Sequence, residues 1–120
     1  MIDIDKLLRG SIDMHLQYGP DVMPRRIDAL EAARQAQLAG MRAIVLKHYY
    51  CSIAPLAIIV NQMIPDVEVI DNICLDFEIG CLNPHTLEKS AKLGARVVWM
   101  PTVSSANSRS KLRALGLSLI

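Results

Sequence analysis

Apolar residues recur along the chain in four short runs, and the first run alternates strictly with polar residues. Within residues 11–17 every second position is apolar, and Asp13, His15 and Gln17 occupy the positions between. A β-strand has a period of two, so this pattern predicts a strand whose three polar side chains share one face. A metal ion or an acidic substrate group could lie against that face. The turn-forming sequence Gly19-Pro20-Asp21 follows the strand.

The three later apolar runs alternate with stretches that have helical spacing. The runs predict strands over residues 41–46, 67–75 and 95–101. Helices are predicted over residues 1–9, from Pro24 to Gly40, over 53–64 and over 84–93. Asn83 and Pro84 are typical of a helix start, and Gly94 is typical of a helix end.

The order β-α-β-α-β-α-β predicts an α/β fold with parallel strands joined by right-handed crossovers. A full (β/α) barrel takes roughly 250 residues. The 120 residues of this chain therefore predict either half of a TIM-barrel-like fold, with four strands and three to five helices, or a small open sheet. No Gly-x-Gly-x-x-Gly follows the first strand and no Walker A loop is present, so the fingerprints of nucleotide binding are missing.

We expect one domain over residues 1–120, with residues 104–120 as an atypical tail. The tail combines a Ser-rich loop with a short Leu-rich segment. It predicts either a packed terminal helix or the frayed end of a truncated protein.

Composition narrows the class of protein. Hydrophobic residues make up 52% of the chain and the net charge is +1, which disfavours disorder and makes nucleic acid or an anionic membrane an unexpected partner. No apolar run approaches the roughly 20 residues of a membrane span, and the N-terminus lacks a signal-peptide pattern. Cys51, Cys74 and Cys81 show no Cys-x-x-Cys spacing, so we expect reduced thiols in a cytoplasmic protein.

Polar residues collect just after the predicted strand ends, where a (β/α) barrel carries its chemistry. They include Thr102 and Ser104 after the fourth strand. His15 is the strongest single candidate, because a metal ion needs neutral imidazole or carboxylate ligands on a rigid strand. Asp13 could be a second ligand or could orient His15. A structural histidine is the alternative.

Lys47 directly follows the apolar run Ile44-Val45-Leu46. A lysine there must be partnered or desolvated. It could bind a substrate carboxylate or phosphate, act as a base or Schiff-base amine, form a metal-bridging carbamate, or simply extend to solvent at the rim. His48 and Tyr49 come next, and one of them should face the site while the other points away.

Two further pairs of charged residues have both functional and surface interpretations. Asp76 and Glu78 follow the third strand and could bind a divalent metal or act as acid and base, or could be a solvated pair. Arg25 and Arg26 begin the predicted second helix, where the helix dipole disfavours cations. They could clamp an anion or lie exposed on the surface.

Several blocks of the sequence resemble an uncharacterised bacterial and archaeal family of amidohydrolase-like proteins, the DUF6282 type. The blocks are Asp13-Met14-His15-Leu16-Gln17 with Gly19-Pro20-Asp21, Pro24-Arg25-Arg26, residues 39–47, residues 80–84 and residues 93–102. The resemblance spans roughly residues 4–107. It implies the first half of a metal-dependent hydrolase of the TIM-barrel type.

The resemblance also implies site residues. The family's first strand usually carries His-x-His, so His15 matches the first ligand and Gln17 replaces the second. After the second strand the family tends to read Lys-x-His. Lys47 matches, Tyr49 replaces the histidine, and His48 lies one position earlier. Asp76 falls where the family often has Asn, and Glu78 where it has a small residue.

The predicted roles form three groups. The divalent metal, zinc-like or manganese-like, would be held by His15, Asp13, Gln17 and His48. Catalytic roles fall to Lys47 and Asp76. Substrate contacts fall to Arg25, Tyr49 and Glu78.

The leading hypothesis is a metal-assisted hydrolase of a small substrate, and two other functions stay open. One is a non-catalytic half-barrel that self-associates, because an open sheet of four strands leaves two edges and an apolar face for a second copy. We therefore expect a homo-oligomer. The other is a binding module that holds a small anion through Lys47 and Arg25.

Overall fold

The computed structural model describes residues 2–117, which form alternating helices and parallel strands. In chain order the elements are α1 (Ile4–Leu8), β1 (Ile12–Gln17), α2 (Ala29–Leu38), β2 (Ala43–Lys47), α3 (Ala54–Met63), β3 (Glu68–Ile70), β4 (Asn72–Cys74), α4 (Pro84–Leu93), β5 (Val97–Trp99) and α5 (Ala106–Ala114). A 3-10 turn covers Phe77–Ile79. Every strand pair is parallel, so the predicted α/β class is confirmed.

The strands pair in the order in which they occur along the chain. One sheet has the order β1-β2-β3 and the second has the order β4-β5. Only Asp71 separates β3 from β4. The prediction of one continuous strand over residues 67–75 is therefore wrong, because its first part pairs with β2 and its second part pairs with β5.

The sheet does not close into a barrel within the described residues. Strand β1 lies at one edge of the first sheet and β5 at the far edge of the second. The radius of gyration is 15.8 Å, whereas a compact chain of this length would have about 13.6 Å. The molecule is a slab with extents of 43 × 38 × 21 Å, as expected for half of a (β/α) barrel.

The hydrophobic core lies between the sheet and helices α2 and α3. Ile44 and Leu46 of β2 are fully buried there, and both belong to the core cluster with Val69 of β3. Small side chains on α2 let the helix approach the sheet closely. The buried alanines of α2 are Ala29, Ala32, Ala33 and Ala36. This core fixes β2 rigidly, and β2 carries Lys47 at its last position.

The helix termini follow local capping rules. Asn83 caps α4 by accepting from the amides of His85 and Thr86, and Gly94 ends it with a φ of 116°, as predicted. Helix α2 begins later than predicted because Asp28, which accepts from the Glu31 amide, is its N-cap.

The tail residues up to 117 include the helix α5, which begins after the N-cap Ser105. The end of the predicted Leu-rich segment, residues 118–120, lies outside the described part of the chain. None of the helices within residues 2–117 is long and apolar enough to cross a membrane.

Candidate functional site

The carboxyl ends of the strands bring Lys47 into a buried position. The residue is only 4% exposed. Its Nζ donates a hydrogen bond to Oγ1 of Thr102 at 2.9 Å. It also lies 4.5 Å from the ring centroid of Trp99 and 5.3 Å from that of Tyr49, distances at which a cation is attracted to an aromatic face. The ion pairs within residues 2–117 do not include Lys47.

Neighbouring amide groups orient the aromatic side chains around Lys47. Gln17, which pairs with Lys47 in the sheet register, donates from Nε2 to the hydroxyl of Tyr49. Burial raises the pKa of Tyr49, so this hydroxyl stays protonated at neutral pH. Deeper in the sheet, Asn72 accepts at Oδ1 from Nε1 of Trp99 at 3.2 Å. We call Gln17, Lys47, Tyr49, Trp99 and Thr102 the strand-end site.

Asp76 lies next to this site as a fully satisfied buried carboxylate. Its Oδ1 accepts from the amides of Thr102 and Ser104, at 3.0 and 2.8 Å, and from the Ser104 hydroxyl at 2.6 Å. Its Oδ2 accepts from the Cys74 thiol at 3.0 Å. Burial acts to raise the pKa of Asp76, but these hydrogen bonds outweigh burial and lower the pKa. Asp76 thereby holds residues 102–104, including Thr102, against Lys47.

The thiol of Cys74 is strongly perturbed by the same contacts. Burial and the hydrogen bond to Asp76 raise its pKa to about 11. The side chain is therefore a neutral donor at physiological pH, and it stabilises the ionised form of Asp76.

The first strand departs from strict alternation. Asp13 pairs with Ile44, whereas Gln17 pairs with Lys47, with a register shift between them. Because Ile44 and Lys47 lie on opposite faces of β2, Asp13 and Gln17 also lie on opposite faces. The prediction that the three polar residues of this strand share one face is therefore wrong for Asp13, whereas His15 lies on the same face as Gln17, beside Trp99. The bulge is the physical reason, since an extra residue reverses the faces beyond it.

His15 lies beside the strand-end site. Its ring centroid is 5.4 Å from that of Trp99, and the side chain is exposed. Within residues 2–117 the Asp13 carboxylate makes no hydrogen bond to the His15 imidazole ring. It instead accepts from the His15 backbone amide at 2.9 Å.

His48 points away toward the loop after β1. Its Nε2 lies 3.2 Å from the carbonyl oxygen of Pro20, so Nε2 is the donor. Its Nδ1 is then the acceptor, from the Tyr50 amide at 3.3 Å, and it lies 3.4 Å from the Cys51 Sγ. Of the two residues after Lys47, Tyr49 is therefore the one that faces the site.

The predicted metal ligands do not converge in this arrangement. Within residues 2–117 no group of three His, Cys, Asp or Glu side chains is placed to hold a metal ion. Both nitrogens of His48 are engaged elsewhere, and Asp13 lies across the sheet from Gln17. The residues present do not fit a three-ligand centre, and a divalent metal remains a prediction from the family resemblance.

The predicted substrate contacts have different positions. Arg25 donates to Asp21 at 2.6 Å and forms an ion pair with it. Burial acts to raise the pKa of Asp21, but Arg25 outweighs this effect and lowers it. Glu78 is exposed on the 3-10 turn, apart from the buried Asp76. Arg26 is exposed as well.

Trp99, a member of the strand-end site, and Asn72, which accepts a hydrogen bond from it, were not predicted from the sequence. Trp99 and Asn72 lie within apolar strand runs, where they read as ordinary sheet residues. The signal that could have found them is the pairing of β4 with β5, which places Asn72 and Trp99 on the same face of two neighbouring strands. Thr102 and Ser104 were visible as polar residues after the fourth strand but had no assigned role.

Together the fold and the site define an open α/β domain of parallel β/α units with a polar, lysine-centred cluster at the carboxyl ends of its strands. The chain belongs to DUF6282, a family of unknown function, whose model matches residues 10–116. The match extends beyond the predicted limit of residue 107 and includes α5. No curated protein and no solved structure matches the chain.

Proposed function

We propose that the strand-end site binds the anionic group of a small molecule through Lys47. The supporting observation is a buried ammonium group that has a neutral hydroxyl and two aromatic rings as neighbours. Burying a charge is costly unless a counter-charge and hydrogen bonds accompany it. A carboxylate or phosphate at this site would supply that counter-charge, and the Tyr49 hydroxyl could donate a second hydrogen bond.

Thermal unfolding in inorganic phosphate, or in acetate, tests the binding proposal. A ligand at ten times its dissociation constant stabilises the folded state by about 1.4 kcal/mol, which raises the melting temperature of a domain this size by about 5 °C. We expect this rise in the wild type and its loss in Lys47→Met, which keeps the length of the side chain. Lys92→Met, on an exposed surface of α4, is the matched control and should respond like the wild type. An equal rise in Lys47→Met would refute the proposal.

We propose in addition that the bound molecule is the substrate of a hydrolytic reaction. His15 supports this step, because its exposed imidazole lies beside Trp99 and no ring nitrogen of it is hydrogen-bonded within residues 2–117. An imidazole in that position could activate water as a general base. Lys47 would hold the anionic end of the substrate, and Asp76 would position the loop that carries Thr102.

Hydrolysis of p-nitrophenyl phosphate and of mono-p-nitrophenyl succinate, which both carry an anionic group for Lys47, tests the reaction with and without added Zn²⁺ or Mn²⁺. General-base catalysis typically contributes 10²–10⁴-fold, so His15→Ala should lose about two orders of magnitude of the rate. His85→Ala, on the exposed start of α4, is the control. A rate that is equal in His15→Ala, or absent in the wild type with every metal, would refute the hydrolase for these substrates. A metal-dependent rate would support the predicted divalent ion.

Self-association is a second candidate, supported by the open sheet. Strands β1 and β5 leave unpaired backbone groups at the two edges, and Met14 and Met100 expose 51% and 65% of their surface nearby. Since all strands are parallel, the β1 edge of one copy could extend the sheet beside the β5 edge of another. Light scattering at micromolar concentration should give a dimer, and a monodisperse monomer would contradict this proposal.

A cytoplasmic location is consistent with the state of the cysteines. Cys51, Cys74 and Cys81 form no disulfide within residues 2–117, and this supports the proposal of a reducing compartment. Labelling of the native protein with a thiol reagent directly after lysis, before any reductant is added, would test this location.

A further inference from the structure

Asp71, the single residue between β3 and β4, is a buried carboxylic acid without a partner. It follows the core residue Val69 by two positions and precedes the buried Ile73 by two, so it lies on the helix-covered face of the sheet. The residue is 8% exposed, and neither side-chain oxygen has a hydrogen-bond partner in the described part of the chain. Burial raises the pKa of this carboxyl group.

Asp71 lines a solvent-connected groove of about 250 Å³ between α3 and the end of α4. Ala57 and Ile58 of α3 and Leu93 of α4 provide apolar walls. We call this the Asp71 groove. It is separate from the strand-end site, because Lys47 and its neighbours lie on the other face of the sheet.

The other polar groups of the groove already have partners. Asn61 bonds the backbone of Val69 twice, donating to its carbonyl at 2.9 Å and accepting from its amide at 2.7 Å. Glu68 forms an ion pair with Arg96 at the rim. These two charges offset each other, so the ionised Asp71 would leave the groove with an unbalanced negative charge.

We propose that the Asp71 groove binds a primary ammonium group carried on a short apolar stem. Both Asp71 oxygens are closed to solvent in the fold, so the side chain would turn into the groove for the ammonium to donate to the carboxylate. The methylene groups would contact Ala57, Ile58 and Leu93. A hard metal cation fits less well, because such ions take several oxygen ligands. The Asn61 oxygen and the Glu68 carboxylate are already occupied by other contacts. The ligand could be a free alkylamine or the lysine side chain of another protein, since the recognised chemistry is the same.

Thermal unfolding with n-butylammonium chloride tests this proposal. At ten times the dissociation constant the melting temperature of the wild type should rise by about 5 °C. The rise should be absent in Asp71→Asn, which keeps the shape but removes the charge. Asp66→Asn, an exposed residue bonded to Gln37, is the matched control and should respond like the wild type. Sodium chloride at equal ionic strength corrects for screening.

A second ammonium ion and an NMR titration complete the test. Tetramethylammonium has the same charge but no N–H donor, so it should give no rise. A carbon NMR signal of the Asp71 carboxyl group in the wild type should shift on addition of butylammonium, which reports binding even if Asp71→Asn folds poorly. No shift of this signal, or an equal rise in Asp71→Asn, would overturn the proposal. Tighter binding of Nα-acetyl-lysine methylamide than of butylammonium would identify the ligand as the lysine side chain of another protein. Tighter binding of butylammonium would identify it as a free alkylamine.

Discussion

Asp71 and Asp76 lie at opposite ends of the same short segment, and both are buried, yet their surroundings are opposite. Asp76 is 0% exposed and accepts hydrogen bonds from Cys74, Thr102 and Ser104. Asp71 is nearly as buried and has no hydrogen-bond partner within residues 2–117. The pKa of Asp76 is lowered, and that of Asp71 is raised.

The difference teaches that burial alone does not decide whether a carboxyl group is charged. At Asp76 the loop after β5 folds over the strand end and presents its amides, so the ionised form is favoured despite desolvation. At Asp71 the segment changes its pairing partner from β2 to β5. The side chain there lies near the apolar residues Ala57, Ile58 and Leu93, and the nearby Asn72 backbone amide offsets only part of the desolvation that raises the pKa. The first carboxylate is satisfied within the fold, and the second has no hydrogen-bond partner within residues 2–117.

The largest effect should come from removing Asp76. Asp76→Ala leaves the amides of Thr102 and Ser104 without their acceptor, and each buried unsatisfied donor costs about 1–3 kcal/mol. We expect the free energy of unfolding to fall by about 3 kcal/mol or more, measured by urea denaturation. Glu78→Ala, an exposed carboxylate two positions later, is the control and should stay within about 0.5 kcal/mol of the wild type. Similar small losses in both variants would mean that the loop does not depend on Asp76.

Asp71→Asn should have a smaller effect of the opposite sign. It removes an unpaired buried charge and keeps the side-chain shape, so in the absence of amines the free energy of unfolding should rise by about 1 kcal/mol at pH 7. Urea denaturation in an amine-free buffer measures it. A loss of stability in this variant would show that the carboxylate has a favourable partner in the folded protein.

The pH dependence of stability should separate the two carboxyl groups. For Asp76 the folded pKa is lowered, so its contribution is present above the unfolded pKa of about 3.9 and is lost as the pH falls through the folded value. For Asp71 the folded pKa is raised, so its contribution is complete below about 3.9 and is lost as the pH rises through the folded value.

Denaturation curves across pH 3–8, a range chosen to span about 3.9, give the test. The advantage of Asp71→Asn over the wild type should grow as the pH rises through the folded pKa of Asp71. The deficit of Asp76→Asn should shrink as the pH falls below about 4. Differences that stay constant across the range would contradict the opposite shifts.

Much of the fold could be predicted from periodicity, because short-range patterns determine which segments form strands and helices. The α4 helix is an example, since Asn83 and Gly94 define its ends locally. The break at Asp71 and the bulge in β1 could not be predicted. Both features depend on which strand pairs with the segment and in which register, and strand pairing is determined by the whole sheet.

The candidate site was predictable in part for a similar reason. The position of Lys47 at the end of an apolar run indicated a lysine that is either buried with a partner or extended to solvent at the rim, and the structure shows it buried. The role of Asp76 depends on Thr102 and Ser104, which lie far along the chain. Trp99 and Asn72 carry no distinguishing pattern, because their contact is made across two strands.

The smallest effect concerns the thiol that joins Cys74 to Asp76. Burial, together with the hydrogen bond to the ionised Asp76 carboxylate, raises the pKa of Cys74 to about 11. Asp76→Asn removes the negative charge, so the thiol should begin to ionise at a lower pH, while the shift should not appear in Glu78→Gln.

The Cβ carbon signal of Cys74 measures this ionisation. It is followed upward in pH as far as circular dichroism shows a folded protein. The signal of Cys51, which is exposed and does not contact Asp76, should titrate alike in all three proteins. If Cys74 titrates identically in the wild type and Asp76→Asn, the thiol does not stabilise the carboxylate. The low pKa of Asp76 would then rest on the loop amides alone.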